Sequence, residues 1–147
     1  MAQNDLGLPE GFADLGQHDT FVGMAGPFFW RLLDRKTETL LDVRTGHLDA
    51  DGAAHPGVLL TLMDVTLGTT AGAWIGHVGV YPTIQLDASF CGTAQLGERV
   101  MGEAWVTAMT DKLAHVSGRL HVAGRTILNA QSVFRNPPAA RSGAVIR

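Results

Sequence analysis

Asp64 is the one charged side chain between Gly57 and Ile75, in a stretch otherwise built from leucines, small residues and four threonines. A carboxylate without a partner in apolar surroundings is costly. A chain keeps one where it is hydrogen-bonded, shared or used. Beside a cleft it becomes a candidate base or nucleophile. Seven residues earlier stands Gly57, directly after His55 and Pro56. If a helix begins there, its free N–H groups and the positive end of its dipole can hold the oxygen of a polarised carbonyl while the carboxylate acts on the carbon. That pairing suits hydrolysis of an acyl thioester.

The elements that would carry these groups are readable from periodicity. Gly57 to Ile75 is too long for a strand, about five turns long, and predicts a helix buried on most sides and stopped by Gly76. On it Asp64 shares a face with Gly57, Leu60, Thr61, Gly68 and Ala71. That face is small beyond the acid and open to a closely packed partner chain or a slender ligand. Upstream, "HDTFVGMAG" predicts a short helix capped by Asp19 or Thr20 and ended by Gly26-Pro27. "PFFWRLL" and "KTETLLDVRTG" read as strands, and "HLDADGAA" as a loop. Downstream, "YPTIQLDASF" alternates with period two, which places Thr83, Gln85, Asp87 and Ser89 on one face. "ERVMGEAWVTAM", "LAHVSGRLHV" and "TILNAQSVFR" complete four consecutive strands, expected to be antiparallel, and Asn136-Pro137-Pro138 ends the sheet.

The chain has 147 residues, 46% apolar and 17% charged, with eighteen glycines, which fits one globular domain with a real core. Residues 1–20 are expected to be loosely ordered and 137–147 to form a tail. A single cysteine, Cys91, forms no intrachain disulfide, and the first fifteen residues lack the pattern of a signal peptide, so a cytoplasmic protein is expected. Asp64 and the glycines argue against a membrane span for the apolar stretch. All fourteen acids lie at or before Asp111, so the last quarter, with Lys112, Arg119, Arg125, Arg135, Arg141 and Arg147, is locally basic. A phosphate-bearing ligand suits that asymmetry, as does a solvated surface. Duplex nucleic acid does not fit charges so sparse. His47, His55, His115 and His121 lack a metal-ligand spacing.

"HLDADGAAHPGVLLTLMDVTLG" resembles the signature of hotdog-fold acyl-CoA thioesterases of the phenylacetate-pathway and 4-hydroxybenzoyl-CoA type. The family's usual form is Asn-x-x-Gly-x-x-His-Gly-Gly, followed seven residues later by an acid in the helix. The likeness runs from "GPFFWR" to "SVFR", with Gly52, His55, Gly57 and Asp64 in register, and "TIQLDASFCGTAQLGERV" resembles the strand that follows. The resemblance implies an α+β hotdog fold, with an antiparallel sheet wrapped around one long central helix, assembled as a homodimer or a dimer of dimers. It implies that Asp64 is the catalytic base or nucleophile, that Gly57 N–H polarises the carbonyl and that His55 shapes the helix start. Thr83 would assist from the second subunit. Substrate would run along Asp49, Pro56, Val58, Thr61 and Gly68, with no metal or organic cofactor beyond the coenzyme A of the substrate.

Three departures stand out. Pro56 replaces the glycine whose N–H is the usual oxyanion donor, and loss of one such donor costs about 100- to 1,000-fold in rate unless Gly57 N–H substitutes. Asp49 replaces the loop asparagine, an acceptor-only group for one that donates. "FCGTA" lacks the family's Arg-Pro pair, so no phosphate contact carries over there. The leading expectation is acyl-CoA hydrolysis. A non-catalytic acyl-CoA-binding protein is the second reading. A 3-hydroxyacyl-thioester dehydratase is the third, disfavoured because that group's acid would fall at Leu62.

Overall fold

The computed structural model describes residues 7–77 and 81–137. In chain order the elements are β1 (Ala13–Asp14), α1 (Phe21–Ala25), β2 (Phe29–Leu33), β3 (Lys36–Asp42), α2 (Pro56–Ile75), β4 (Thr83–Phe90), β5 (Arg99–Met109), β6 (Leu113–Val122) and β7 (Arg125–Arg135). The strands form one antiparallel sheet in the order β1-β2-β3-β5-β6-β7-β4, and α2 packs across β3 to β7. This is the α+β hotdog architecture.

The helix forms where the apolar run predicts. Pro56 opens it, in the position where a missing N–H costs nothing, and Gly76 closes it in the left-handed region at φ 72°. Leu59, Leu62, Met63, Leu67 and Ala71 are buried against the sheet. The threonines are part of the same contact. Thr66 Oγ1 donates to Leu62 O at 2.7 Å and so accepts from Thr39 Oγ1 of β3 at 2.5 Å. Thr69 Oγ1 likewise donates to Val65 O and accepts from Thr37 Oγ1, both at 2.7 Å. Thr70 Oγ1 accepts from Thr37 N at 3.2 Å and lies 3.0 Å from Thr37 Oγ1, so each of the three hydroxyls that the helix sets against β3 is satisfied, which removes the cost of polar groups in the core. Gly102 of β5 makes room for this ladder, since a Cβ there would lie 2.3 Å from Thr39 Oγ1 and 2.6 Å from Thr66 Oγ1.

Strand β6 alternates buried and half-buried residues along its length, the clean period-two pattern of one covered face. Across the other face, Arg31 pairs with Glu38 and Arg119 with Glu103 on neighbouring strands. Arg99 donates to both oxygens of Asp42 at 2.7 and 2.9 Å, a hydrogen-bonded pairing that raises the guanidinium pKa and clamps β5 to β3. Two-residue turns join β2 to β3 at Asp34-Arg35 and β6 to β7 at Ala123-Gly124, the latter with both residues at positive φ.

The four downstream strands are antiparallel as expected, with β4 crossing to the far edge beside β7 and leaving β5 to pair with β3. Two expectations change. Strand β4 has no well-buried face, since as an edge strand it is flanked on one side only. Part of the N-terminal segment is tied down: β1 pairs with β2, and Phe12 packs with Phe29 and Leu40, covering apolar side chains that the outer sheet face would otherwise expose. Residues 1–6 and 138–147 lie outside the described residues.

Candidate active site

Asp64 lies midway along α2 and is half-buried, not enclosed as the apolar run suggested. It projects from the helix where the edge strand leaves it open, and Thr83 Oγ1 donates to its Oδ1 at 2.8 Å. Among the described residues no other donor bonds this carboxylate.

Regular alternation would turn Thr83 away from the helix together with Gln85, Asp87 and Ser89. A β-bulge reverses it. Thr83 pairs with Phe134 and Gln85 with Val133, so β4 carries one extra residue at Ile84. Residues directly opposite on paired strands share a face, and Phe134 is in the core under α2. Thr83 is thus aimed inward at Asp64. The contact forms within one chain, which corrects the expectation that Thr83 reaches Asp64 from a second subunit.

The helix start is organised by His55, its N-cap residue. Gly57 N–H donates to His55 Nδ1 at 2.8 Å, and Val58 N–H to His55 O at 3.0 Å. Pro56 has no N–H to offer. The first amide donors of the helix are therefore occupied, and the Gly57 N–H expected to replace the donor lost at Pro56 is held by the imidazole. A ring nitrogen that accepts carries no proton, so the neutral His55 ring bears its hydrogen on Nε2. Gly57 is needed for this approach, because a Cβ there would lie 3.0 Å from His55 Nδ1.

Other candidates fall into place around these two centres. Asp49 Oδ1 accepts from Asp51 N at 2.9 Å and Ala53 N at 3.2 Å, folding the loop before the helix on itself. Thr61 Oγ1 donates to Gly57 O at 2.8 Å. Gly68 faces the sheet, with the Phe134 ring 3.4 Å from where its Cβ would stand, a packing position. His47 is buried: its Nδ1 accepts from Arg44 N and its Nε2 donates to Gly26 O, each at 3.0 Å. Phe28 and Phe29 are core residues, and Trp74 lies under the Arg35 guanidinium at 4.1 Å.

Val58, Thr61, Gly57 and His55 line an open cleft of about 270 Å³ whose opposite wall is Phe21 and Met24 of α1. Phe21 is 66% and Met24 76% exposed, large apolar side chains held at the surface beside the helix start. The sequence shows them only as part of a short helix. The cleft is built from three segments distant along the chain, and no local pattern marks it.

The two centres do not meet within one chain. Gly57 and Asp64 are seven residues apart on α2, about 10.5 Å along the axis. A donor to a carbonyl oxygen and a group acting on its carbon must each lie about 3 Å from their atom. One carbonyl cannot satisfy both from the same helix.

An antiparallel sheet around one helix, with an acid and a hydroxyl joined on the helix's open side, defines the class as hotdog-fold thioesterases. The chain belongs to the thioesterase superfamily, whose family model matches residues 51–128, more than half its length. A candidate esterase of Pseudomonas aeruginosa is 32% identical over 133 residues, covering 90% of this chain and 99% of the relative. The fold is shared with a mutant form of the phenylacetic acid degradation protein PaaI from Thermus thermophilus, at TM-score 0.71 and 19% identity over 80% of this chain and 98% of that one. It is shared also with a hypothetical thioesterase from Streptococcus pneumoniae crystallised with coenzyme A, at TM-score 0.67 and 15% identity over 74% and 86% of the two chains.

Proposed function

We propose that this protein hydrolyses acyl-CoA thioesters to free acid and coenzyme A in the cytoplasm, as a homodimer or dimer of dimers, with no metal or organic cofactor. The observation that carries the reading is the bulge at Ile84, which aims the Thr83 hydroxyl at Asp64 on the open side of the helix. Asp64 acts as general base on water or as nucleophile toward the thioester carbon, and Thr83 holds the carboxylate in its reactive rotamer.

The oxyanion donor comes from the helix start of a second copy, since the spacing along α2 excludes the same chain. With Pro56 lacking an N–H and Gly57 N–H engaged, the outward donor at that start is the His55 Nε2–H. A neutral imidazole is an effective electrophile for a developing oxyanion. Strand β4 supplies the joint: among the described residues nothing pairs with its outer backbone edge, and Ile84 and Phe90 are 57% and 46% exposed. Antiparallel pairing of two β4 edges sets the Asp64–Thr83 end of one copy near the post-β4 loop of the other, and that loop is bonded to the residue before His55 through Ala54 N and Ala94 O at 2.8 Å. The acyl group lies in the cleft between Val58 and the Phe21 and Met24 side chains.

Thiol release from a panel of short, long and aryl acyl-CoAs tests this. Turnover by the wild type that is lost in a folded Asp64→Asn protein supports it. The occupied Gly57 N–H favours a second reading, a non-catalytic acyl-CoA-binding protein. Thermal protection by acyl-CoA with no thiol released from any member would establish that one instead.

A further inference from the structure

A β-bulge leaves its extra residue unpaired and interrupts the ladder that holds the strand. Strand β4 has no second ladder to compensate, since among the described residues it pairs with β7 alone. The segment that carries Thr83 therefore depends on its remaining ties. Before the extra residue, Ile84, Arg135 N donates to Pro82 O at 3.0 Å. After it, a side chain adds to the backbone pairing: Ser132 Oγ of β7 donates to Gln85 O at 2.6 Å.

Ser132 is an unexpected residue type for its place. Ile127, Leu128, Ala130 and Phe134 of the same strand are in the core, and Ser132 is buried with them at 3% exposure. A hydroxyl there without a partner would be costly, so the bond to Gln85 O is what lets the core hold a serine at this position. Leu86 stands directly opposite Ser132 and packs against the same core, and the hydroxyl reaches past it to the carbonyl of the preceding residue. That carbonyl is one residue beyond the bulge and two beyond Thr83. An alanine, such as Ala130 two residues earlier, would suit the same apolar surroundings and bond nothing.

We infer that Ser132 is a positioning residue, whose hydroxyl fixes the β4 backbone just after the bulge and so keeps the Thr83 hydroxyl on Asp64 at 2.8 Å. The inference rests on the proposed roles of Asp64 and Thr83 and adds the buried group that sets their geometry. Ser132 acts through Thr83, so its removal costs no more than loss of the Thr83 hydroxyl itself, about tenfold.

A double-mutant cycle in the full-length protein tests this. In Ser132→Ala, kcat for the best acyl-CoA falls about fivefold with KM unchanged. In a Thr83→Val background the same substitution costs nothing further, because the hydroxyl that Ser132 positions is already gone. Ser132→Cys keeps the side-chain volume with a much weaker donor and carries the same cycle should the alanine variant fail to fold. NMR reads the geometry without hydrolysis: the nuclear Overhauser contact between the Thr83 methyl and the Asp64 β-protons, present in the wild type, is lost in the Ser132 variant. An unchanged kcat, or an equal loss in both backgrounds, overturns the inference, the latter because a merely structural role affects both alike. Loss of the contact in a protein that hydrolyses nothing keeps the role of Ser132 and rejects the hydrolase. Hydrolysis with the contact and the rate unmoved by the Ser132 variant does the reverse, and a wild type with neither contact nor hydrolysis rejects both.

Discussion

At Asp64 two hydrogen-bonded atoms carry the chemistry, and each can be removed separately. Asp64→Asn keeps the shape and the bond from Thr83 but removes the base, and thiol release from the best acyl-CoA should drop about 10²- to 10⁴-fold. Thr83→Val leaves the carboxylate ionised but unheld and should cost about tenfold, mostly in kcat, with the melting temperature little changed because Thr83 is exposed. At the helix start, His55→Ala removes both the cap on Gly57 and the outward donor, whereas His55→Gln retains an acceptor and an N–H on one side chain. Steady-state kinetics should place His55→Gln closer to the wild type in kcat, and equal losses would contradict a donor role. The placement of Gly57 at the helix start and of Asp64 about two turns along was legible because both are local to one helix and the spacing follows from 3.6 residues per turn. The capture of Gly57 N–H was not, because it depends on the rotamer of a side chain two residues away.

Between elements, the close approach of α2 to the sheet depends on residues that have no side chain. Gly102 lies beneath the Thr39–Thr66 bond and Gly118 beneath Met63 and Ala104, so α2 sits low enough to bury its leucines. Gly102→Val should overpack this contact and destabilise the fold by about 1–3 kcal/mol, read as a fall in the urea midpoint at constant slope. A midpoint equal to that of the wild type would show that the threonine ladder can shift freely. The helix and most strand boundaries were readable from periodicity, and so was the polar outer side of β6. The direction of Thr83 was not. A bulge is a property of two strands in register, and the alternation of "YPTIQLDASF" contains no sign of the extra residue at Ile84. The bonding of Thr66 and Thr69 was not legible in the sequence, since their partners, Thr39 and Thr37, come from a strand more than twenty residues upstream.

For the molecule as a whole, sheet order decides what a second copy can contribute. That β4 crosses to the free edge beyond β7 is a long-range pairing that no local pattern reports, and it is what gives an assembly somewhere to join. A charge on that edge should block it: Ile84→Asp is expected to shift the protein to monomer in light scattering and to lose thiol release while keeping its helix and sheet content. A monomer with full activity would remove the need for a partner. The central claim is that each site takes Asp64 from one copy and His55 from the other, and mixing two inactive variants tests it most directly. Asp64→Asn and His55→Ala chains, unfolded together and refolded, form mixed dimers in which one of the two sites has both intact residues. Thiol release from the mixture is predicted to return to about a quarter of the wild-type rate. A mixture as inactive as either variant alone, with mixed dimers present by native mass spectrometry, would contradict the account.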